Sequence, residues 1–450
     1  TAAEANTLYD GKDQATGFTG IGDEAITLTD TTVTATALMD LYSSDGTSGI
    51  IDATTVHTIT GTAGDANTIY SQTSTFTGLG TENITISGET NNSLAASVLN
   101  TLNGNTTGNI NADTVTTLTG SITDLNTAYT ASATTGDGIS NLGNEAITLS
   151  DTSVTDISAL TTLNSNTTGN IDADTVSSFT GSISDLNTMF AAKAASGDGI
   201  SFSSSSGAAD QTVTITDTTD VSVTGLTTLN GHTTGNIDAS GVTSLASASI
   251  SDIKTLLTNG NNTTNNFAAT SFQSLATVAV SGTSISVADL NDSITPANTA
   301  TTDPTTTVFS VSSGATITTG DEAAFTTLLT NEDNGNIVIT DQNLTVSSGT
   351  ISVDNANSLN GTTTGTVTAS IDVTESVDTL VTLSGTGAYT IDIRSEDATN
   401  STAAEFNTIN NATTVAIDAS EVTALASSNL SDVKTLSVSY THLRAHETEL

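Results

Sequence analysis

Cysteine and tryptophan are both absent from the chain. Without cysteine there are no disulfides, no thiolate metal sites and no thiol catalysis. Without tryptophan the usual aromatic platform for stacking sugars is missing. Basic residues are scarce too: 6 Lys and Arg stand against 48 Asp and Glu, a formal charge of −42. Such a chain offers no basic surface to displace condensed counterions, so neither nucleic acid nor anionic lipid is expected as a partner. No run approaches the ~20 apolar residues of a membrane helix, and no membrane insertion is expected. Residues 1–20 carry no signal-peptide pattern.

What remains is rich in Thr, Ser, Asn, Ala, Gly and Asp, with 35% hydrophobic and 4% aromatic residues. A compact core for a chain this long normally uses more large side chains. The Ile, Val and Leu residues nevertheless recur at regular places, unlike a disordered polar tract. That pattern favours a thin core built from many similar layers.

Self-similarity is the strongest signal. An acidic residue followed by an apolar-x-Thr pattern begins at Glu4, Asp65, Asp124, Asp185 and Asp252, at intervals of 61, 59, 61 and 67 residues. The triplet Thr106-Thr107-Gly108 keeps step, returning at Thr167-Thr168-Gly169 and Thr233-Thr234-Gly235. A third landmark is Glu24-Ala25-Ile26-Thr27, repeated from Glu82 and Glu145. Each period holds two related sub-units. Over 182–195, Ile183, Leu186, Phe190 and Ala194 fall at helical spacing behind Ser182 or Ser184 as N-cap, with Asp185 in the first turn. Asn109–Ala112, Asn170–Ala173, Ile26–Leu28 and Ile147–Leu149 read as short strands bounded by turn residues.

One helix or turn plus one strand per sub-unit cannot bury its own apolar face, but it can when stacked on identical neighbours. The period is also too short for a sandwich of ~100 residues. The expected fold is therefore mainly β: an elongated, repetitive β-solenoid, parallel β-helix-like, with short helical turns. Ladders of Thr, Ser and Asn are expected to satisfy one another along the stack. The regular array is expected over 1–290. A break or linker follows at 291–307, which holds both prolines, Pro296 and Pro304, and a divergent region with strand-like Val308–Val311, Ile337–Ile339, Ile351–Val353 and Tyr389–Ile393 covers 308–437.

Thr167–Ala173, Val115–Thr127 and Gly143–Asp151 resemble repeats of the giant cell-surface proteins of marine picocyanobacteria, over about 1–260 and in part 400–436. The resemblance implies an exported envelope component linked to surface layers, motility or adhesion, outside the cell, with other surface components or copies of itself as partners. It carries no catalytic residue to transfer. Val438–Thr448 resembles instead a translated sequencing adapter, so 438–450 is expected to be non-native and the chain a fragment open at both ends.

Recurrent acids invite a calcium reading, since hard cations take carboxylate and carbonyl oxygens. The candidate ligands are Asp137 and Asp198 in Gly-Asp-Gly turns, Asp151, and the pair Asp172 and Asp174. Asx-turns and helix caps explain the same residues without a metal, and no cofactor is required. His57 and His232 occupy non-equivalent repeat positions and read as surface or turn residues. A polysaccharide-acting enzyme would need a localised, non-repeated carboxylate cluster, whereas these acids recur with the repeat. The expectation is a structural segment without catalysis. A glycan- or protein-binding adhesin module is the first alternative and a β-helix enzyme the second. Asn-x-Thr sequences at Asn105 and Asn166 are candidate sugar acceptors.

Overall fold

A computed structural model describes residues 1–12, 16–43, 46–132, 138–193, 199–202, 210–260, 266–268, 271–300, 307–394 and 400–444. The chain divides into two units, residues 1–214 with 231–236 and residues 215–230 with 237–450.

The expectation of a mainly β solenoid with short helical turns is overturned. Among the described residues there are 15 helices and six parallel sheets of three to five strands, with 36% helix and 25% strand. The fold is α/β. Helices of 8 to 15 residues, such as Ala35–Tyr42 and Leu430–Arg444, stand where turns were expected. Their cores are narrow. Numbering from the first helical residue as N1, the buried positions are N1, N4 and N7. They are Ala96, Leu99 and Leu102 in helix Ala96–Asn105, and Ile157, Leu160 and Leu163 in helix Ile157–Asn166. Three buried side chains suffice because the flank of each helix lies against its neighbours.

In the first unit the ~60-residue period resolves into two unequal coils of chain. A short coil has two strands and a helix: Asn109–Asn111, Thr117–Gly120 and Ile122–Ser132. A long coil has three strands and a helix: Gly138–Ser140, Ala146–Leu149, Ser153–Val154 and Ile157–Asn166. The short coil pairs with the first two strands of the long one, with Ile110 beside Ile139 and Leu118 beside Ile147. The next short coil, Asn170–Asp172 and Ser178–Gly181, pairs with the last two, with Ile171 beside Ile147 and Phe179 beside Val154. Pairing therefore shifts by one strand every two coils, which is why the sequence repeats only every second coil.

Side chains facing inward from strands and helix meet in each coil. Ile110, Leu118 and Leu125 are fully buried. Each such side chain contributes about 2 kcal/mol before the entropy of ordering it is counted.

The second unit keeps the same grammar. One sheet joins Ser244–Ser249, Thr277–Ser281, Val308–Val311 and Ile337–Val338. Another joins Ser284–Ser286, Thr316–Thr318, Asn343–Thr345, Val367–Ser370 and Ala388–Thr390. Of the stretch read as a break, 291–300 with Pro296 lies inside helix Val287–Ala300, and 301–306 with Pro304 lies outside the described residues. Residues 430–444 form one helix across the boundary placed at 437, and 445–450 lie outside the described residues.

Candidate functional site

The recurring polar residues converge on the seams between coils. In the seam at Glu82, the Thr106 hydroxyl donates to the Glu82 carbonyl at 2.7 Å and accepts the Gly108 N–H at 3.0 Å. The Thr107 N–H donates to the Gly80 carbonyl at 2.9 Å. Gly108 lies flat on the same peptide: an added Cβ would stand 2.2 Å from the Glu82 carbonyl oxygen. The Thr-Thr-Gly triplet is thus a clasp in which the first Thr bridges, the second extends the ladder, and only glycine fits third.

The Glu82 side chain completes the clasp from within. Its Oε2 accepts from Tyr70 Oη at 2.8 Å, Gly80 N–H at 2.8 Å and Thr81 N–H at 3.1 Å. The arrangement recurs at Glu24, with Tyr9 at 3.2 Å, Gly22 N–H at 2.7 Å and Thr47 on the carbonyl at 2.8 Å. It recurs again at Glu145, with Tyr129 at 3.0 Å, Gly143 N–H at 2.8 Å and Thr167 on the carbonyl at 2.8 Å. Burial, followed by the adjacent Glu82 or Glu145 carboxylate, holds the Tyr70 and Tyr129 phenols above their ordinary pKa.

Oε1 of Glu82 and of Glu145 is buried without a hydrogen-bond partner. Gln342 shows the neutral version of this position. Its Oε1 takes the Thr340 N–H at 2.7 Å while its Nε2 donates to the Val311 carbonyl at 3.0 Å.

A second set of contacts joins successive helices. Where N5 is asparagine, it donates its amide to the N3 carbonyl of the next helix: Asn6 to Ala37, Asn67 to Val98, Asn100 to Asp124 and Asn126 to Ala159, at 2.9 to 3.0 Å. An acid from the following coil also caps the N1 N–H, as Asp30 does for Ala2, Glu89 for Ala63 and Glu375 for Val353. The expected ladders of Thr, Ser and Asn side chains exist in places, such as Ser140 to Asn109 at 2.8 Å, but most seam hydroxyls bond backbone carbonyls instead.

The candidate calcium ligands fall into this framework separately. Asp151 caps Ile122 N–H at 2.8 Å, and its carbonyl accepts the Thr175 hydroxyl at 3.0 Å. Asp172 forms an Asx-turn by accepting the Asp174 N–H at 3.0 Å. Burial and the neighbouring Asp172 raise the pKa of Asp174. Asp137 and Asp198 lie outside the described residues. Among the described residues, no three His, Cys, Asp or Glu gather as a metal-holding group.

His57 Nδ1 sits 2.7 Å from the Thr55 carbonyl, and His232 stacks on Phe190 at 6.2 Å. The amides of Asn105 and Asn166 are engaged with Asn67 at 2.9 Å and Asn126 at 3.4 Å, and the Thr that follows each is buried. A cavity of about 520 Å³ beside the Glu82 seam is lined by Tyr70, Phe76, Gly80 and Asn105, but its Tyr hydroxyl, Gly N–H and Asn amide are already committed to the seam. Among the described residues no helix is long and apolar enough to cross a membrane.

Sequence reasoning missed the Tyr–Glu pairing and the N5 asparagines. Both were signalled by Tyr70 and Tyr129, which stand 12 and 16 residues ahead of their Glu, and by Asn in the Asp-x-Asn-Thr landmark. In comparisons with known proteins, no family model matches the chain, and no curated protein matches it.

Proposed function

We propose that the chain is a structural repeat segment of a secreted bacterial cell-surface protein, part of a surface layer or an adhesin stalk, without catalysis of its own. The observation that carries this reading is the use made of the repeated polar residues. Thr, Gly, Glu and Asn recur because each coil must be fastened to the next, so the repetition is explained by construction. A catalytic centre would stand out as a localised cluster that the seams do not use. The acidic surface suits a protein bathed in salt and divalent cations. Calcium, in this reading, screens the charge and acts as a counterion. Other surface components or copies of the same protein are the partners.

Protease shaving of intact source cells tests it. Peptides cut by a protease specific for acidic residues, of which the chain has 48, should appear in the shaved fraction before lysis and should vanish from the cells afterwards. Recovery only after lysis would defeat the surface assignment. A glycan array probed with the folded chain separates the adhesin reading, which requires selective binding to particular sugars.

A further inference from the structure

The seam between helices Ile250–Gly260 and Val287–Ala300, within the second unit, departs from the asparagine-joined seams in two independent ways. At N5, where Asn126 or Asn291 makes a neutral bond to the next helix, this seam has Lys254. Its ammonium meets Asp289 Oδ1 at 2.7 Å and Asp292 Oδ2 at 2.8 Å, the N3 and N6 residues of the following helix. The strands of the same seam lose register. Ser244 pairs Thr277 and Leu245 pairs Val278, but after a bulge Ala248 pairs Val280. In the first unit Ala146–Leu149 runs beside Thr117–Gly120 without a shift. A bulge bends a strand and weakens its ladder locally, so the helix side carries more of the task of fixing how these two coils meet.

We propose that this seam is a salt-tunable joint, fastened by the bridge from Lys254 to Asp289 and Asp292 and opening before its neighbours as ionic strength rises. The bridge is open to solvent, with 35% of the lysine and 33% and 60% of the two aspartate side chains exposed. Its attraction is therefore screened as the Debye length falls from ~10 Å at 0.1 M salt to ~3 Å at 1 M. The N5 asparagine bond joins a neutral amide to a carbonyl and does not respond in this way. Elsewhere added salt relieves the self-repulsion of a chain with a charge of −42, so the other seams tighten while this one loosens. The inference stands independently of the surface-protein reading.

Hydrogen–deuterium exchange of the whole chain at about 10 mM and about 1 M sodium chloride reads the effect. Opening of helices Ile250–Gly260 and Val287–Ala300 should rise roughly two- to fivefold relative to Ile122–Ser132 and Ile157–Asn166, in line with an exposed ion pair. Lys254→Asn, which installs the neutral form, should remove that differential. Lys254→Glu should reverse its sign, since salt then screens a repulsion. The reference helices report whether either variant has disturbed the fold at large. An equal salt response in all four helices, or a differential that persists in Lys254→Asn, overturns the proposal.

Discussion

Gly108, Gly169, Gly235 and Gly365 each press on the carbonyl of the Glu or Gln across the seam, where a Cβ would stand 1.9 to 2.4 Å from the oxygen. Backbone cannot yield as a side-chain tip can. Gly169→Ala is therefore expected to cost about 1–3 kcal/mol, as overpacking does. Gly104 is the control, because it lies in helix Ala96–Asn105 with nothing within 4 Å of an added Cβ. Gly104→Ala should be neutral or stabilise by up to about 1 kcal/mol. Equilibrium denaturation of the two variants checks the pair, and equal effects would remove the clasp. Thr167→Val keeps the shape but leaves the Glu145 carbonyl and the Gly169 N–H without the bridging hydroxyl. It should lower stability by about 1–3 kcal/mol in the same assay. The Thr-Thr-Gly triplet was legible in the sequence as a landmark, whereas its purpose was not. The oxygen it clasps lies more than 20 residues away, and spacing alone does not say which peptide the triplet touches.

At the scale of elements, helices with asparagine at N5 are joined by its amide, and several helices are capped by acids from the following coil. Asn126→Ala should cost about 1 kcal/mol through its lost bond to Ala159, and exchange should quicken in both helices it joins. Asp151→Asn keeps the hydrogen-bonding shape at Ile122 but removes the charge facing a helix N-terminus, and should cost about 0.3–1 kcal/mol. Several strands were legible: Asn109–Asn111, Asn170–Asp172 and Val308–Val311 fall where Ile or Val stands between turn residues, whereas Ile351–Val353, also read as strand-like, runs into helix Val353–Thr362. Helix Ile183–Ala191, capped by Ser182, was legible too. Most other helices were not. Ile157, Leu160 and Leu163 carry the whole apolar stripe of theirs, and the intervening Thr, Ser and Asn read as turn or strand by propensity. Packing against neighbouring helices overrides that preference, and this missing context turned an α/β chain into an expected β-solenoid.

For the molecule as a whole, the acids do two opposed things. Some carboxyls are held below their ordinary pKa by local donors: Glu322 by the Ser352 N–H and Asn355, Asp372 by Thr374, Asp52 by the Thr54 hydroxyl, and Asp418 by the Ser420 N–H. A depressed folded pKa gives stability that is complete above the unfolded value of about 4 and is lost as the pH falls through the folded value. The remaining acids repel one another, and their protonation relieves that strain. At about 1 M salt, where that repulsion is screened and the held carboxyls decide, stability should therefore hold down to about pH 4 and fall below it, as thermal denaturation between pH 3 and 7 would report. At the alkaline end the signs invert. Tyr70 and Tyr129 are held above their ordinary pKa, and burial pushes Tyr389 up to about 12, so stability falls as the pH climbs past ~10. Phenolate absorbance should then appear together with unfolding. The central claim is that a layer of helices, clasped coil to coil, carries the fold alongside the parallel strands. Far-UV circular dichroism of the purified chain tests it most directly. The account predicts the double minimum of a protein about one-third helical, and the single minimum of an all-β chain, with no helical signal, would contradict it.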